Sequence, residues 1–171
     1  MKTSECTVFG WVIHHLSADV GESFEIRNVR EADTTRLSSQ TIYTKGKIVG
    51  YYSDNPSQKA LDRVPGFGTD NLPNPLPRLN LQMTVEEPAE WWCISAAFNS
   101  KLPIVSFLRM SPEETKTFPA GSKIFVCEGD VAVNGISKQA PLVINATNEV
   151  VLTASVNSVY ALQFDRENAT I

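Results

Sequence analysis

The sequence has few of the side chains with which enzymes hold metals or attack substrates. It contains only two histidines, His14 and His15, among 171 residues. Its three cysteines, Cys6, Cys93 and Cys127, are far apart and odd in number, which is typical of reduced thiols rather than of a disulfide framework. No stretch approaches the roughly 18 consecutive apolar residues that span a bilayer. These absences argue against a disulfide-stapled secreted domain and against a helical membrane protein.

Charge of one sign is also scarce. The chain has 15 basic and 19 acidic residues, a net charge of −4, and the basic residues form no cluster. This balance argues against nucleic acid or an anionic membrane as a partner. The first twenty residues lack the long uninterrupted hydrophobic region of a secretory signal. We therefore expect synthesis in the cytoplasm without secretion through a signal peptide, and a final location in the cytoplasm or in a virion.

Turn signals and short apolar runs alternate through residues 117–135, TFPAGSKIFVCEGDVAVNG. Pro119 and Gly121 predict a turn, and the apolar residues 124–127 predict a strand. The polar break at residues 128–130 predicts a hairpin connection to a second strand over residues 131–133. Asn134-Gly135 is the strongest short hairpin-turn signal that a sequence offers. This stretch therefore predicts antiparallel β structure.

The same pattern occurs along the rest of the chain. Residues 23–29 and 79–85 alternate between apolar and polar side chains, as half-buried strands do. Residues 40–52 predict two strands with a turn at Lys45-Gly46-Lys47, and residues 102–110, 141–145, 149–154 and 159–165 predict further strands. The sequence thus indicates about ten short strands and almost no helix. We predict an all-β antiparallel jelly roll, either a barrel or a sandwich, with one long proline-rich loop.

That loop occupies residues 54–80 and separates an N-terminal β segment, residues 1–53, from a predicted barrel core, residues 81–171. Five prolines make it a poor strand or helix, namely Pro56, Pro65, Pro73, Pro75 and Pro77. It also carries Phe67, Leu72 and Leu76, which a free linker would not need. The sequence leaves two interpretations open. The segment either covers its own domain or is an extended arm that packs on a neighbouring subunit.

Candidate site residues are few. His14 and His15 are adjacent, so on a strand they point to opposite faces and do not easily chelate one ion. Glu86, Glu87 and Glu90 surround Pro88 and predict a solvated turn, with an acidic site as the alternative. Trp91 and Trp92 follow directly. On a strand one of them points inward, and the other is a candidate interface or sugar-stacking anchor.

Residues 117–165 resemble the core of a cupin, the small antiparallel jelly-roll barrel. Pro119-x-Gly121 before a strand and Glu128-Gly129 at its end carry the resemblance. Catalytic cupins typically bind a metal through a His-x-His pair, a glutamate and another histidine. In the two possible alignments the corresponding positions are Thr115, Thr117 and Ser122, or Ile124. The resemblance therefore implies the cupin fold, and we expect no metal or other cofactor.

Two classes of function agree with these observations. The first, which the absence of catalytic residues favours, is a non-enzymatic structural or assembly module. It would make protein–protein contacts in an oligomer, as in a phage capsid decoration or tail protein, through Phe67, Leu72, Leu76, Trp91 and Trp92. The alternative is a metal-free cupin that acts as a sugar isomerase or epimerase, or that binds a small molecule. Its candidate polar residues are His14, His15, Tyr43, Tyr51 and Tyr160.

Overall fold

A computed structural model describes residues 1–26, 38–63, 66–67, 81–96 and 105–164. These residues form fifteen strands and no helix, and they therefore contain no helix able to cross a membrane. The chain divides into two compact units. Met1–Thr7 and Trp11–Ser100 make the first, and Val8–Gly10 and Lys101–Ile171 make the second.

The first unit is one sheet built on two long strands. Its strands are β1 (Lys2–Val8), β2 (Trp11–Ala18), β3 (Ser23–Ile26), β4 (Ser38–Tyr52), β5 (Asn55–Arg63), β6 (Gly66–Phe67) and β7 (Leu81–Ala96). Their order is β1-β2-β7-β4-β5, with β3 also paired to β7 and β6 to β4. β2 pairs with residues 89–95 of β7, whereas β3 pairs with residues 81–84. The sheet therefore has two halves that share β4 and β7.

The two halves meet where β4 and β7 both become irregular. The register between them shifts from Lys45↔Glu90 to Lys47↔Glu87, so one strand carries an extra residue. Gly46 lies at this point with φ +72°, and a Cβ atom placed on it would lie 2.1 Å from the carbonyl oxygen of Pro88. Such bulges let a strand turn a corner. The predictions of a turn at residues 45–47 and of a solvated turn around Pro88 were therefore wrong, because the two chain-breaking residues oppose each other within one ladder.

The core of the first unit lies between its two halves. Its buried members are Ala18, Ile48, Met83, Val85, Ala89 and Trp91, with Leu16, Phe24 and Tyr52 packed against them. Trp91 belongs to the half that contains β2, and Phe24 to the half that contains β3. Their rings stack with centroids 5.6 Å apart. The corner thus lets the sheet cover its own apolar face.

The second unit has two four-stranded antiparallel sheets. Its strands are β8 (Val105–Met110), β9 (Thr115–Phe118), β10 (Lys123–Glu128), β11 (Asp130–Val133), β12 (Ile136–Gln139), β13 (Leu142–Asn145), β14 (Val150–Ala154) and β15 (Val159–Phe164). One sheet has the order β13-β10-β15-β8 and the other β12-β11-β14-β9. Alternate apolar side chains of both sheets form one core, as in β14, where residues 150, 152 and 154 are buried.

The core of the second unit is apolar throughout. Ile124 and Val126 come from one sheet and Val131 and Leu152 from the other, and all four are fully buried. Met110, also fully buried, lies in the same cluster. The described members of this core are all apolar side chains, which are poor hydrogen-bonding partners for a polar ligand.

The structure confirms most of the strands and turns predicted for residues 117–135. The two strands form as β10 and β11, and Asn134-Gly135 joins β11 to β12 in a tight hairpin with Val133 opposite Ile136. The predicted hairpin at residues 128–130 was wrong, because β10 and β11 lie in different sheets. Gly129, with φ +100°, redirects the chain from one sheet to the other.

The structure divides the chain differently from the predicted boundaries. Residues 81–96 form β7 at the centre of the first unit's sheet, so they are not part of the eight-stranded second unit. The predicted loop over residues 54–80 begins with a strand, β5, which tolerates Pro56 because it lies at the edge of the sheet. Residues 64–65 and 68–80 lie outside the described residues.

Candidate functional site

One glutamate links three neighbouring strands of the first unit. Glu90 lies on β7, with Lys45 opposite it on β4 and Ser17 opposite it on β2. Its Oε1 atom lies 2.5 Å from His15 Nε2, and its Oε2 atom lies 3.7 Å from Lys45 Nζ. The side chains of His15 and Glu90 are 27% and 36% exposed. This half-buried carboxylate is therefore held by an imidazole on one side and an ammonium group on the other.

Trp92 fixes the plane of the His15 ring. The two residues oppose each other on β2 and β7, so their side chains share one face of the sheet. Their rings stack at 4.1 Å with an interplanar angle of 14°. Trp91 and Trp92 are 2% and 5% exposed, so the expectation that one of them points to solvent was wrong. Trp92 thus supports a histidine and does not serve as an exposed anchor.

A cleft of about 320 Å³ lies beside Glu90. Its polar residues come from the end of β2, the turn after it and the corner of β4 and β7. The residues that line it are Met1, Lys2, Ser17, Ala18, Asp19, Glu22, Lys45, Pro88, Ala89 and Glu90. Carboxylates, ammonium groups and a hydroxyl all line this space. Such a lining can form hydrogen bonds with a ligand that carries both donors and acceptors.

Glu22 adds a second oriented carboxylate to the cleft. It is bonded to the amino group of Met1, and its Oε2 atom accepts a hydrogen bond from the backbone N–H of Asp19 at 2.8 Å. The hydrogen bond to the amino group and that to the Asp19 N–H lower the pKa of Glu22 below its ordinary value. Glu22 is therefore a stable anion at neutral pH.

His14 lies apart from His15, as the alternation along β2 predicts. His14 Nδ1 lies 3.2 Å from Glu5 Oε2 on the edge strand β1. Cys6 follows Glu5 on β1 and is exposed. Partial burial of its thiol raises the pKa of that thiol, and the negative charge of Glu5 raises it further. The raised pKa makes Cys6 a poor nucleophile. Cys127 is buried and forms no disulfide, in agreement with the prediction of reduced thiols, and the side chain of Cys93 lies outside the described residues.

The positions that would carry a cupin metal do not fit one here. Thr115 and Thr117 are exposed on β9, while Phe118 next to them points into the core. The hydroxyl groups of Thr115 and Thr153 form a hydrogen bond, with their oxygens 3.0 Å apart. Ile124 is fully buried among hydrocarbon. Within the described part of the chain, no three His, Cys, Asp or Glu side chains come together as a metal site.

The remaining predicted site residues are scattered. Tyr51 is half-buried on β4, and Tyr160 on β15 lies under the Arg109 guanidinium, whose carbon is 5.7 Å from the ring centroid. Tyr43 and Phe67 pair across β4 and β6, and their side chains lie outside what the structure describes. Leu72 and Leu76 also fall outside the described residues.

Sequence reasoning singled out His15 and Glu90 separately but did not pair them. They are 75 residues apart, and Lys45 comes from a third strand. Only the register of β2, β7 and β4 brings these three side chains together, and register cannot be read from the sequence. The one available signal was that Lys45 and Glu90 each lie in a predicted turn.

Comparison with known proteins identifies the fold. No protein-family model and no curated protein sequence matches the chain. Among solved structures, a cupin 2 conserved barrel domain protein from Leptotrichia buccalis is similar, with 13% identity and a TM-score of 0.53, over 96% of this chain and 88% of that one.

Two other structures are similar to the same extent. A conserved protein of unknown function from Pseudomonas aeruginosa PAO1 has 15% identity and a TM-score of 0.55, over 96% of this chain and 89% of its own. A salicylate 1,2-dioxygenase from Pseudaminobacter salicylatoxidans has 8% identity and a TM-score of 0.51, over 95% and 76%. At these identities the likeness concerns architecture alone. The antiparallel strands, the packed sheets and these neighbours together confirm the prediction: the chain has an all-β, cupin-like jelly-roll fold.

Proposed function

We propose that this cupin-like protein binds a small, hydroxyl-bearing polar molecule, such as a sugar, in the cleft beside Glu90. The observation that supports the proposal is the Glu90 carboxylate, which lines the cleft while His15 and Lys45 hold it in place. A carboxylate with a fixed orientation binds hydroxyl groups well, because little side-chain entropy is lost when the ligand arrives.

The lining of the cleft suits a ligand that carries both hydrogen-bond donors and acceptors. Glu90 and Asp19 supply acceptors, Lys45 supplies donors, and the Ser17 hydroxyl supplies both. A sugar presents such an array of hydroxyl groups. The packed hydrocarbon core of the second unit offers no comparable set, which supports the first unit as the binding unit.

The test is a binding experiment with a defined panel of hexoses, hexuronic acids and hexose 6-phosphates. Binding is followed by amide chemical shifts and by the melting temperature, with a chelator present throughout. We expect at least one class to shift the amides of Ser17, Lys45 and Glu90. Glu90→Gln should lower the affinity for that ligand about tenfold or more, since a hydrogen bond to a charged group contributes about 1.5–3 kcal/mol.

The chain supplies a matched control. Glu86 lies on the same strand as Glu90 and pairs with a β4 lysine, Lys47, at 2.7 Å, but it is not among the residues that line the cleft. Glu86→Gln should therefore leave the affinity unchanged. Equal effects of the two substitutions, or no response to any member of the panel, would contradict the proposal.

A second candidate is the assembly module that the sequence favoured. An apolar row crosses one sheet of the second unit, in the order Phe107, Leu162, Phe125 and Val143. Phe107 and Val143, at its ends, are 37% and 50% exposed, whereas Leu162 and Phe125 between them are buried. The exposed apolar side chains at the two ends of the row support contact with a second copy of the chain. The finer idea of a phage capsid decoration or tail protein stays a prediction from architecture alone.

A further inference from the structure

Asn134 has two structural roles in one residue. Its backbone adopts φ +49°, as the first position of the two-residue turn between β11 and β12 requires. Its side chain replaces a backbone group of the neighbouring ladder. The Asn134 N–H donates to the Val151 carbonyl at 2.8 Å, and Asn134 Oδ1 accepts from the Val151 N–H at 2.8 Å. The carboxamide thus adds one rung to the pairing of β11 with β14.

The local sequence around Asn134 also favours one chemical reaction of its side chain, the loss of ammonia. Asn134 precedes Gly135, the only glycine that follows an asparagine in this chain, and the position is exposed. Because glycine has no side chain, its backbone nitrogen can reach the side-chain carbonyl carbon of the residue before it. The Gly135 nitrogen loses its proton and bonds to the Asn134 Cγ atom, and ammonia leaves. Water then opens the succinimide ring to aspartate or isoaspartate.

We propose that Asn134 is a spontaneous deamidation site that the native β11–β14 rung holds inactive, and that reacts when the hairpin opens from β14. The hydrogen bond from Val151 directs the carboxamide across to β14, so the Cγ atom is not free to meet the Gly135 nitrogen. Reaction therefore requires the rung to break first.

The two products differ in what they do to the fold. Aspartate keeps an oxygen that accepts from Val151, and it tolerates positive φ. In isoaspartate the peptide bond to Gly135 is made by the side-chain carboxyl carbon, so the main chain contains one extra carbon atom. This lengthens a two-residue turn whose geometry fixes the register of the hairpin. A molecule that carries isoaspartate should therefore lose the hydrogen bond at Val151, and the hairpin should loosen.

The test compares deamidation rates of the full chain at neutral pH and body temperature, folded and in guanidinium, by peptide mass mapping. The exposed Asn157, which precedes Ser158, is the internal reference. We expect folding to slow the deamidation of Asn134 about fivefold, the population factor of one hydrogen bond with a net strength of about 1 kcal/mol. Folding should slow Asn157 less.

Two further measurements separate the mechanism from a general effect of folding. In guanidinium, Gly135→Ala should slow the reaction, since the methyl group hinders the attacking nitrogen. In the folded chain, Asn134→Asp should keep the Val151 amide protected from hydrogen exchange, while the isoaspartate fraction should lose that protection. Equal folded and unfolded rates at Asn134, or protection of Val151 in the isoaspartate fraction, would overturn the proposal.

Discussion

Glu114 shows how much of a side chain's behaviour is decided within a few residues. Its Oε2 atom accepts the Ser111 N–H at 2.7 Å, and its Oε1 atom lies 3.4 Å from Lys116 Nζ. The Ser111 hydrogen bond first, and Lys116 after it, lower the pKa of Glu114 below its ordinary value. A group whose pKa is lower in the folded chain stabilises it above the unfolded pKa, and this stabilisation is lost as the pH falls through the folded pKa.

We therefore expect the pKa of the Glu114 carboxyl to lie below the ordinary value of a glutamate. Carboxyl carbon NMR of the folded chain measures the midpoint directly. Lys116→Met should raise the midpoint only in part, because the Ser111 N–H remains. A midpoint at or above the ordinary value, or a full return after Lys116→Met, would show that the backbone bond is not the main cause.

At the scale of elements, the corner of the first unit depends on one residue without a side chain. In Gly46→Ala, the new methyl group would meet the Pro88 carbonyl oxygen, and the backbone would also keep a positive φ. The left-handed conformation alone costs about 1–2 kcal/mol for a non-glycine residue, and overpacking adds about 1–3 kcal/mol. We expect a loss of about 2–5 kcal/mol in unfolding free energy, measured by denaturant titration.

Gly21 is the matched control for that experiment. It has a similar positive φ of +84°, but a Cβ atom there would meet nothing within 4 Å. Gly21→Ala should therefore cost only the conformational part, about 1–2 kcal/mol. Similar losses at both positions would mean that the close approach to Pro88 does not matter.

The elements also show what a sequence can and cannot predict. Alternation predicted β7 up to Val85, because half-buried strands have a period of two, and the turn residues on either side predicted β14. Gly46 and Pro88 were interpreted as strand ends, since each disfavours a regular ladder on its own. In the structure they oppose each other across one bulge, and that pairing depends on residues about forty positions apart. The Glu90 site could not be predicted for the same reason, because its three side chains come together only through the register of β2, β7 and β4.

At the scale of the whole molecule, the exposed ends of the apolar row of the second unit, Phe107 and Val143, predict self-association. If a second copy of the chain covers Phe107 and Val143, light scattering should give a defined oligomer. The double substitution Phe107→Ser and Val143→Thr should reduce it to a monomer without changing the far-ultraviolet β spectrum. Ile136→Thr, on the 63% exposed Ile136 of β12, should leave the oligomer intact. A wild-type monomer at all concentrations would contradict the assembly candidate.

The corner at Gly46 and Pro88 has a consequence for how the first unit unfolds. Both of its halves are built on β4 and β7, so these two strands connect the ladders of one half to those of the other. The stacked rings of Trp91 and Phe24 tie the halves together a second time. The first unit should therefore open cooperatively, as a single unit, and not strand by strand.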